Sequence, residues 1–138
     1  MPARCQPNSH ENRRQGRRRI LVIDDDVATL QIIQKILEKG GYEVASASGG
    51  NEGLRSFRST RFDLVLVDMV MPEMDGFETT SLMHRLCPEV KIIAMSGAPN
   101  AKSANGLELA LKLGAIRALP KPFAPNELLS VVGECVAN

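Results

Sequence analysis

The chain has 138 residues, 43% of them hydrophobic and 24% charged, the mix of one ordinary globular domain. Tryptophan is absent and aromatics total 4%, so the core has to be aliphatic. No apolar run approaches the roughly 18 residues of a membrane span, and the start Met1-Pro2-Ala3-Arg4-Cys5 has no apolar signal region, so a cytoplasmic location without a membrane partner is expected.

The net charge of +1 hides an asymmetry. Residues 1–19 carry six arginines against Glu11, whereas the rest carries 11 basic and 15 acidic side chains. Residues 1–18 are polar and aperiodic, and read as a disordered basic tail before a folded domain over residues 19–138. An arginine-rich leader gives only a weak case for nucleic acid, and a solvated tail is the simpler reading. Cys5, Cys87 and Cys135 match no zinc spacing and are expected as three reduced thiols.

The elements follow in order. Ile20-Leu21-Val22-Ile23 is a continuous β-branched and aliphatic run, as in a strand buried on both faces. Val27, Leu30, Ile33 and Leu37, with Ile32 and Ile36 beside them, recur at helical spacing until Gly40-Gly41. Residues 42–45 alternate as a strand, and residues 51–57 read as a second helix. Leu64-Val65-Leu66-Val67 is another buried strand. Asp75-Gly76-Phe77-Glu78 has capping-box spacing and opens a helix to Leu86, before the breaker Pro88. Residues 90–95 form a fourth strand. Asn105-Gly106-Leu107-Glu108 opens a helix to Lys112, residues 116–119 a fifth strand, and residues 126–136 a last helix with Leu128, Leu129, Val132 and Val136 on its apolar stripe. Five short apolar strands alternating with five amphipathic helices predict an α/β protein, a doubly wound parallel sheet covered on both faces. In such folds the site lies outside the carboxyl ends of the strands.

Those ends carry the chemistry. Asp24, Asp25 and Asp26 follow the first strand, Asp68 the third, Ser96 the fourth and Lys121 the fifth. Neighbouring carboxylates repel unless a cation sits between them. Hard oxygen donors of this kind suit Mg²⁺. An Asp nucleophile beside such a metal can accept a phosphoryl group, and an ammonium and a hydroxyl can stabilise the charge on its oxygens. Taken singly, each residue has a plainer role. The Asp24–Asp26 run can cap a helix, with Asp26 the best candidate, Ser96 can sit in a turn, Asp68 in a loop, and Lys121 can be a surface charge. The specificity lies in their joint occurrence at successive strand ends.

Four segments then resemble one family. Ile20-Leu21-Val22-Ile23-Asp24-Asp25-Asp26 resembles the first strand and acidic pair of response-regulator receiver domains. Leu64-Val65-Leu66-Val67-Asp68-Met69-Val70-Met71-Pro72-Glu73-Met74-Asp75-Gly76 resembles their phosphoacceptor segment. Ala94-Met95-Ser96-Gly97, and then Gly114-Ala115 with Leu119-Pro120-Lys121-Pro122-Phe123, resemble their remaining motifs. The resemblance implies a flavodoxin-like sheet in strand order 2-1-3-4-5. It implies Asp68 as phosphoacceptor from a sensor histidine kinase or phosphotransfer protein, with Ser96 and Lys121 on the phosphoryl group. Mg²⁺ would be held by Asp25, Asp68 and the Val70 backbone carbonyl, with Asp24 acting mainly through water. The Lys121-Pro122 bond would be cis. With no output domain visible, the chain is expected to signal by docking to a downstream protein near residues 97–138, not to act as an enzyme.

Two departures stand out. Ala118 occupies the position where the family usually carries Tyr or Phe, so the coupled aromatic rotation cannot occur there. Residues 98–104 are rich in small and polar side chains and read as a mobile loop. Two other readings compete. A haloacid-dehalogenase-like phosphatase would use Asp24 as nucleophile but leaves the Asp68 segment unexplained. A receiver-like binding module that is never phosphorylated would not need the full set of chemical residues.

Overall fold

The computed structural model describes residues 17–71, 75–96 and 108–137. The elements are β1 (Arg19–Ile23), α1 (Val27–Lys39), β2 (Glu43–Ala47), α2 (Gly50–Ser59), β3 (Leu64–Asp68), α3 (Gly76–Leu86), β4 (Ile92–Ser96), the helical residues 108–112 as α4, β5 (Arg117–Pro120) and α5 (Pro125–Ala137). All strand pairs are parallel, in the order β2-β1-β3-β4-β5. This is the doubly wound five-stranded sheet that the alternation of apolar strands and amphipathic helices predicts. The expected helix cap at residues 105–107, the loop at 98–104 and the tail at residues 1–16 lie outside the described residues.

Strand periodicity divides the core into two layers. Leu21, Ile23, Val65, Val67, Ile92 and Ala94 face one side, against Leu54 and Phe57 of α2, Met83 of α3 and Ala110 of α4. Ile20, Val22, Leu64, Leu66, Ile93 and Met95 face the other, against Leu30, Ile33 and Leu37 of α1 and Leu128 and Val132 of α5. β1 and β3 are buried on both faces, which is why their sequences run apolar without alternating. Met69, Met71 and Met83 are core residues as well. Among the described residues no helix is long and apolar enough to cross a membrane.

Several local expectations shift. Val27 and Ile32 are more than half exposed, outside the buried Leu30, Ile33 and Leu37 stripe of α1: Ile32 is adjacent to Ile33 and so points to another side of the helix, and Val27, although three positions before Leu30, is the first residue of α1. Asp26 is the N-cap residue of α1, yet its carboxylate accepts from the Thr29 hydroxyl at 2.6 Å and not from a helix N–H. Asp75 does cap α3, accepting from Glu78 N at 2.9 Å. Of the three expected thiols, Cys135 is free and buried, whereas Cys87 is disulfide-bonded, a correction to the reduced reading.

Gly76 is dictated by a close approach. A Cβ there would lie 2.2 Å from the Asp68 carbonyl oxygen and 2.5 Å from Met69 Cα, so only glycine lets α3 begin against the end of β3. We expect Gly76→Ala to lower unfolding free energy by about 2 kcal/mol or more in urea titrations. Gly133→Ala is the contrasting case. Its Cβ would meet nothing closer than Tyr42 Oη at 3.9 Å, so the helix should gain about 0.5–1 kcal/mol. Equal effects at the two positions would contradict this packing account.

Candidate functional site

The strand order reverses between β1 and β3, so a crevice opens outside their carboxyl ends. Asp24 follows β1 directly, and its N–H donates to Ala47 O at the end of β2 at 3.1 Å. Asp68 is the last residue of β3 and is 4% exposed. Asp24, Asp25 and Asp68 each bring a carboxylate oxygen within 4.8 Å of the others. Asp24 and Asp68 are buried, and Asp25 opens to solvent.

Lys121 enters this pocket from β5. Its N–H donates to Ser96 O at 2.7 Å, which ties the start of the β5–α5 connection to the end of β4. The Lys121-Pro122 bond is cis. The Lys121 ammonium donates to Asp24 Oδ2 at 2.6 Å and lies 3.5 Å from Asp68 Oδ1. Ser96, also buried, ends β4 beside Asp68 in the strand order. The second Asp24 oxygen accepts from Asp26 N at 2.9 Å, so both Asp24 oxygens are engaged by the protein itself. The expected residues Asp24, Asp25, Asp68, Ser96 and Lys121 therefore meet at one edge of the sheet.

The electrostatics are unbalanced. Burial pushes the Asp68 carboxyl up to about 6, and the negative charge of Asp24 adds to this. Lys121 and the Val70 N–H pull it back down, and Asp25 raises it further. Burial disfavours the charged Lys121, but its hydrogen bond to Asp24 and the charges of Asp68 and Asp24 win, so its pKa is raised and the ammonium persists. Three carboxylates thus face one ammonium. The backbone of Val70 is at the site, while its side chain is 61% exposed and stands as an apolar surface next to Asp68. What the sequence reading missed is the Val70 N–H as an Asp68 partner, since only the folded backbone just after β3 aims it there.

The family model for the response regulator receiver domain matches residues 20–133. The chain belongs to this family. The receiver is 38% identical over 119 residues to the transcriptional regulatory protein ZraR of Klebsiella oxytoca, covering 86% of this chain and 26% of ZraR. It is 31% identical over 118 residues to the chemotaxis protein CheY of Thermotoga maritima, covering 85% of this chain and 96% of CheY. Among solved structures it resembles the CheY-like receiver domain protein of Methanospirillum hungatei, with a TM-score of 0.81, 34% identity, and coverage of 88% and 95% of the two chains. The receiver thus spans about a quarter of the ZraR-type relatives but nearly all of CheY. It is a signalling domain of two-component systems, a class whose members generally bind Mg²⁺ in the acidic pocket and work with histidine kinases and downstream effectors.

The raised Asp68 pKa has a stability consequence. A carboxyl held above its unfolded value keeps its proton better when folded, so its stabilising contribution is complete below pH 3.8 and falls as pH rises to about 6. Without divalent cations at pH 7, Asp68→Asn should be more stable than the parent by on the order of 1–3 kcal/mol in urea titrations. The gap should close as pH is lowered toward 4. A gap independent of pH would refute this electrostatic account.

Proposed function

We propose that this receiver accepts a phosphoryl group on Asp68 from the phosphohistidine of a sensor histidine kinase or phosphotransfer protein, and then docks to a downstream protein. The observation that carries the reading is the convergence of Asp24, Asp25 and Asp68 with the Lys121 ammonium in one crevice. An Asp68 oxygen attacks phosphorus, the bond from phosphorus to the donor imidazole nitrogen breaks, and the imidazole leaves with its electron pair. Lys121 neutralises charge on the transferred oxygens, and the Ser96 hydroxyl donates to one of them. Asp24 holds the ammonium in reach, since Lys121 Nζ is 2.6 Å from Asp24 Oδ2 and only 3.5 Å from Asp68. The Val70 N–H orients the Asp68 carboxylate.

The donor set fits Mg²⁺, because three clustered carboxylates exceed the single ammonium and offer only hard oxygen ligands. Asp25, Asp68 and the Val70 carbonyl would hold it directly, with Asp24 reaching it through water. When bound, Mg²⁺ supplies the positive charge that lets an anionic phosphoryl group approach an anionic nucleophile. A cytoplasmic setting fits this exchange with a kinase.

Acetyl phosphate with Mg²⁺ should add the mass of one phosphoryl group to the intact protein, lost in Asp68→Asn and on chelation by EDTA. Lys121→Ala should slow labelling by about tenfold or more. Labelling at Asp24 would point instead to a phosphatase of the haloacid-dehalogenase type, and no labelling at all to a binding module that is never phosphorylated.

Ala118 lies in β5, paired with Ala94 of β4, and has no ring to rotate. We propose that the signal passes through movement of the chain after Ser96 toward the docking face near residues 97–138, of which 97–107 and 138 lie outside the described residues. Phosphorylation should therefore shift amide resonances across residues 97–120 in ¹⁵N spectra. Spectra unchanged in that stretch would end this version of the signalling route.

A further inference from the structure

β2 and β5 are the two edges of the sheet, and they differ. β5 carries the exposed Arg117 and ends at Pro120, the charge and the proline that blunt an edge. β2 reads Glu43-Val44-Ala45-Ser46-Ala47, without lysine or proline, and its one charge is paired with Arg19 at 3.1 Å. Glu43 N donates inward to Arg18 O, and Ala47 O accepts from Asp24 N. Alternate residues of a parallel strand bond to the same neighbour. Glu43, Ala45 and Ala47 therefore bond to β1, and the N–H and C=O groups of Val44 and Ser46 face outward. Among the described residues no strand pairs with them. The outward run stops at Ser48, whose N–H donates to Glu52 Oε1 at 3.0 Å. The flanking helices leave this edge open: Val44, Ala45 and Ser46 are all partly exposed, although they alternate between the two faces. A groove of about 320 Å³ lies beside it, with Val44, Ala45, Ser56 and Thr60 among its walls. The Ser46 hydroxyl turns away to α1, donating to Gln34 Oε1 at 3.0 Å.

We propose that β2 pairs with β2 of a second copy of this chain, antiparallel about a twofold axis through Ala45, so that the two sheets become one. The edge is self-complementary in this register. Val44 of each copy exchanges both hydrogen bonds with Ser46 of the other, so every outward group finds a partner. Ala45 meets Ala45 at the position without hydrogen bonds, where Cα atoms approach to roughly 4.5 Å and a small side chain fits. Helix α1 obeys the same axis. Gln34 stands level with Ser46, and α1 runs opposite to β2 because it joins two parallel strands. One residue back along the strand, about 3.3 Å, equals about two residues onward along the helix. The axis thus crosses α1 near Ile36, with Gln34 and Glu38 on either side. The Gln34 amide, which donates to Glu38 Oε2 at 3.0 Å within one copy, comes opposite the Glu38 carboxylate of the other, and the exposed Lys35 beside it offsets the charge. One short edge and one helix row fall below the roughly 1,200 Å² of a standard interface, so the dimer is weak and depends on concentration. The carboxyl ends of the two β2 strands point apart, which leaves both Asp68 crevices open.

The test uses the full chain under reducing conditions, so that no disulfide joins two copies. Sedimentation over a dilution series should show a monomer–dimer equilibrium. Amide hydrogen exchange followed by NMR should show the Val44 and Ser46 N–H groups several-fold better protected at high than at low concentration, with Ala45 and Ala47 protected equally at both. Ala45→Lys sets two ammonium groups against each other across the axis and should leave a monomer with an unchanged circular dichroism spectrum. Ser46→Pro removes one outward N–H and should do the same. A monomer at every concentration, concentration-dependent protection confined to other residues, or an Ala45→Lys dimer as tight as the parent's would overturn the pairing. The exchange pattern of the parent decides the question on its own if either variant fails to fold.

Discussion

The organising constraint is a charge imbalance held at the end of a buried sheet. Asp24 and Asp68 stand almost out of solvent, Asp25 stands beside them, and Lys121 is the ammonium set between Asp24 and Asp68. Burial raises the Asp68 pKa most, and the charges of Asp24 and Asp25 raise it further. A site in this condition gains from any added positive charge. The same imbalance that weakens the fold near neutral pH therefore prepares the pocket for a hard cation and an anionic ligand.

The sheet makes this possible by lending rigidity. β1 and β3 lie in the middle of the order, each hydrogen-bonded on both sides and packed on both faces. Their ends cannot drift apart to relieve repulsion between Asp24 and Asp68. Lys121 is fixed just as firmly, because its backbone N–H bonds to Ser96 O. Its side chain is then shared unequally, at 2.6 Å from Asp24 and 3.5 Å from Asp68. That asymmetry leaves Asp68 the less neutralised of the two, in keeping with the phosphoacceptor role proposed for it.

Most of the fold was legible because aliphatic runs and helical periodicity report burial directly. Leu64 to Val67 could only be a strand buried on both faces, and Leu30, Ile33 and Leu37 could only be one stripe of a helix. Boundaries were less legible. The fourth strand was expected from residue 90 but begins at Ile92, since Val90 is apolar without being in the ladder. Val27 has the spacing of the apolar stripe, yet as the first residue of α1 it stays more than half exposed. Cys87 shows a different limit, because a bonded cysteine and a free one look the same in sequence.

By itself the sequence determined the class of fold, the identities of Asp24, Asp25, Asp68, Ser96 and Lys121, and their positions at strand ends. These follow from short-range pattern, where side-chain chemistry and periodicity suffice. The tertiary structure decided the distances: which carboxylate oxygen Lys121 takes, how far Asp68 is pushed from its usual pKa, and why residue 76 has no side chain. Those depend on contacts between residues up to 97 positions apart, and only the packed sheet brings such residues together.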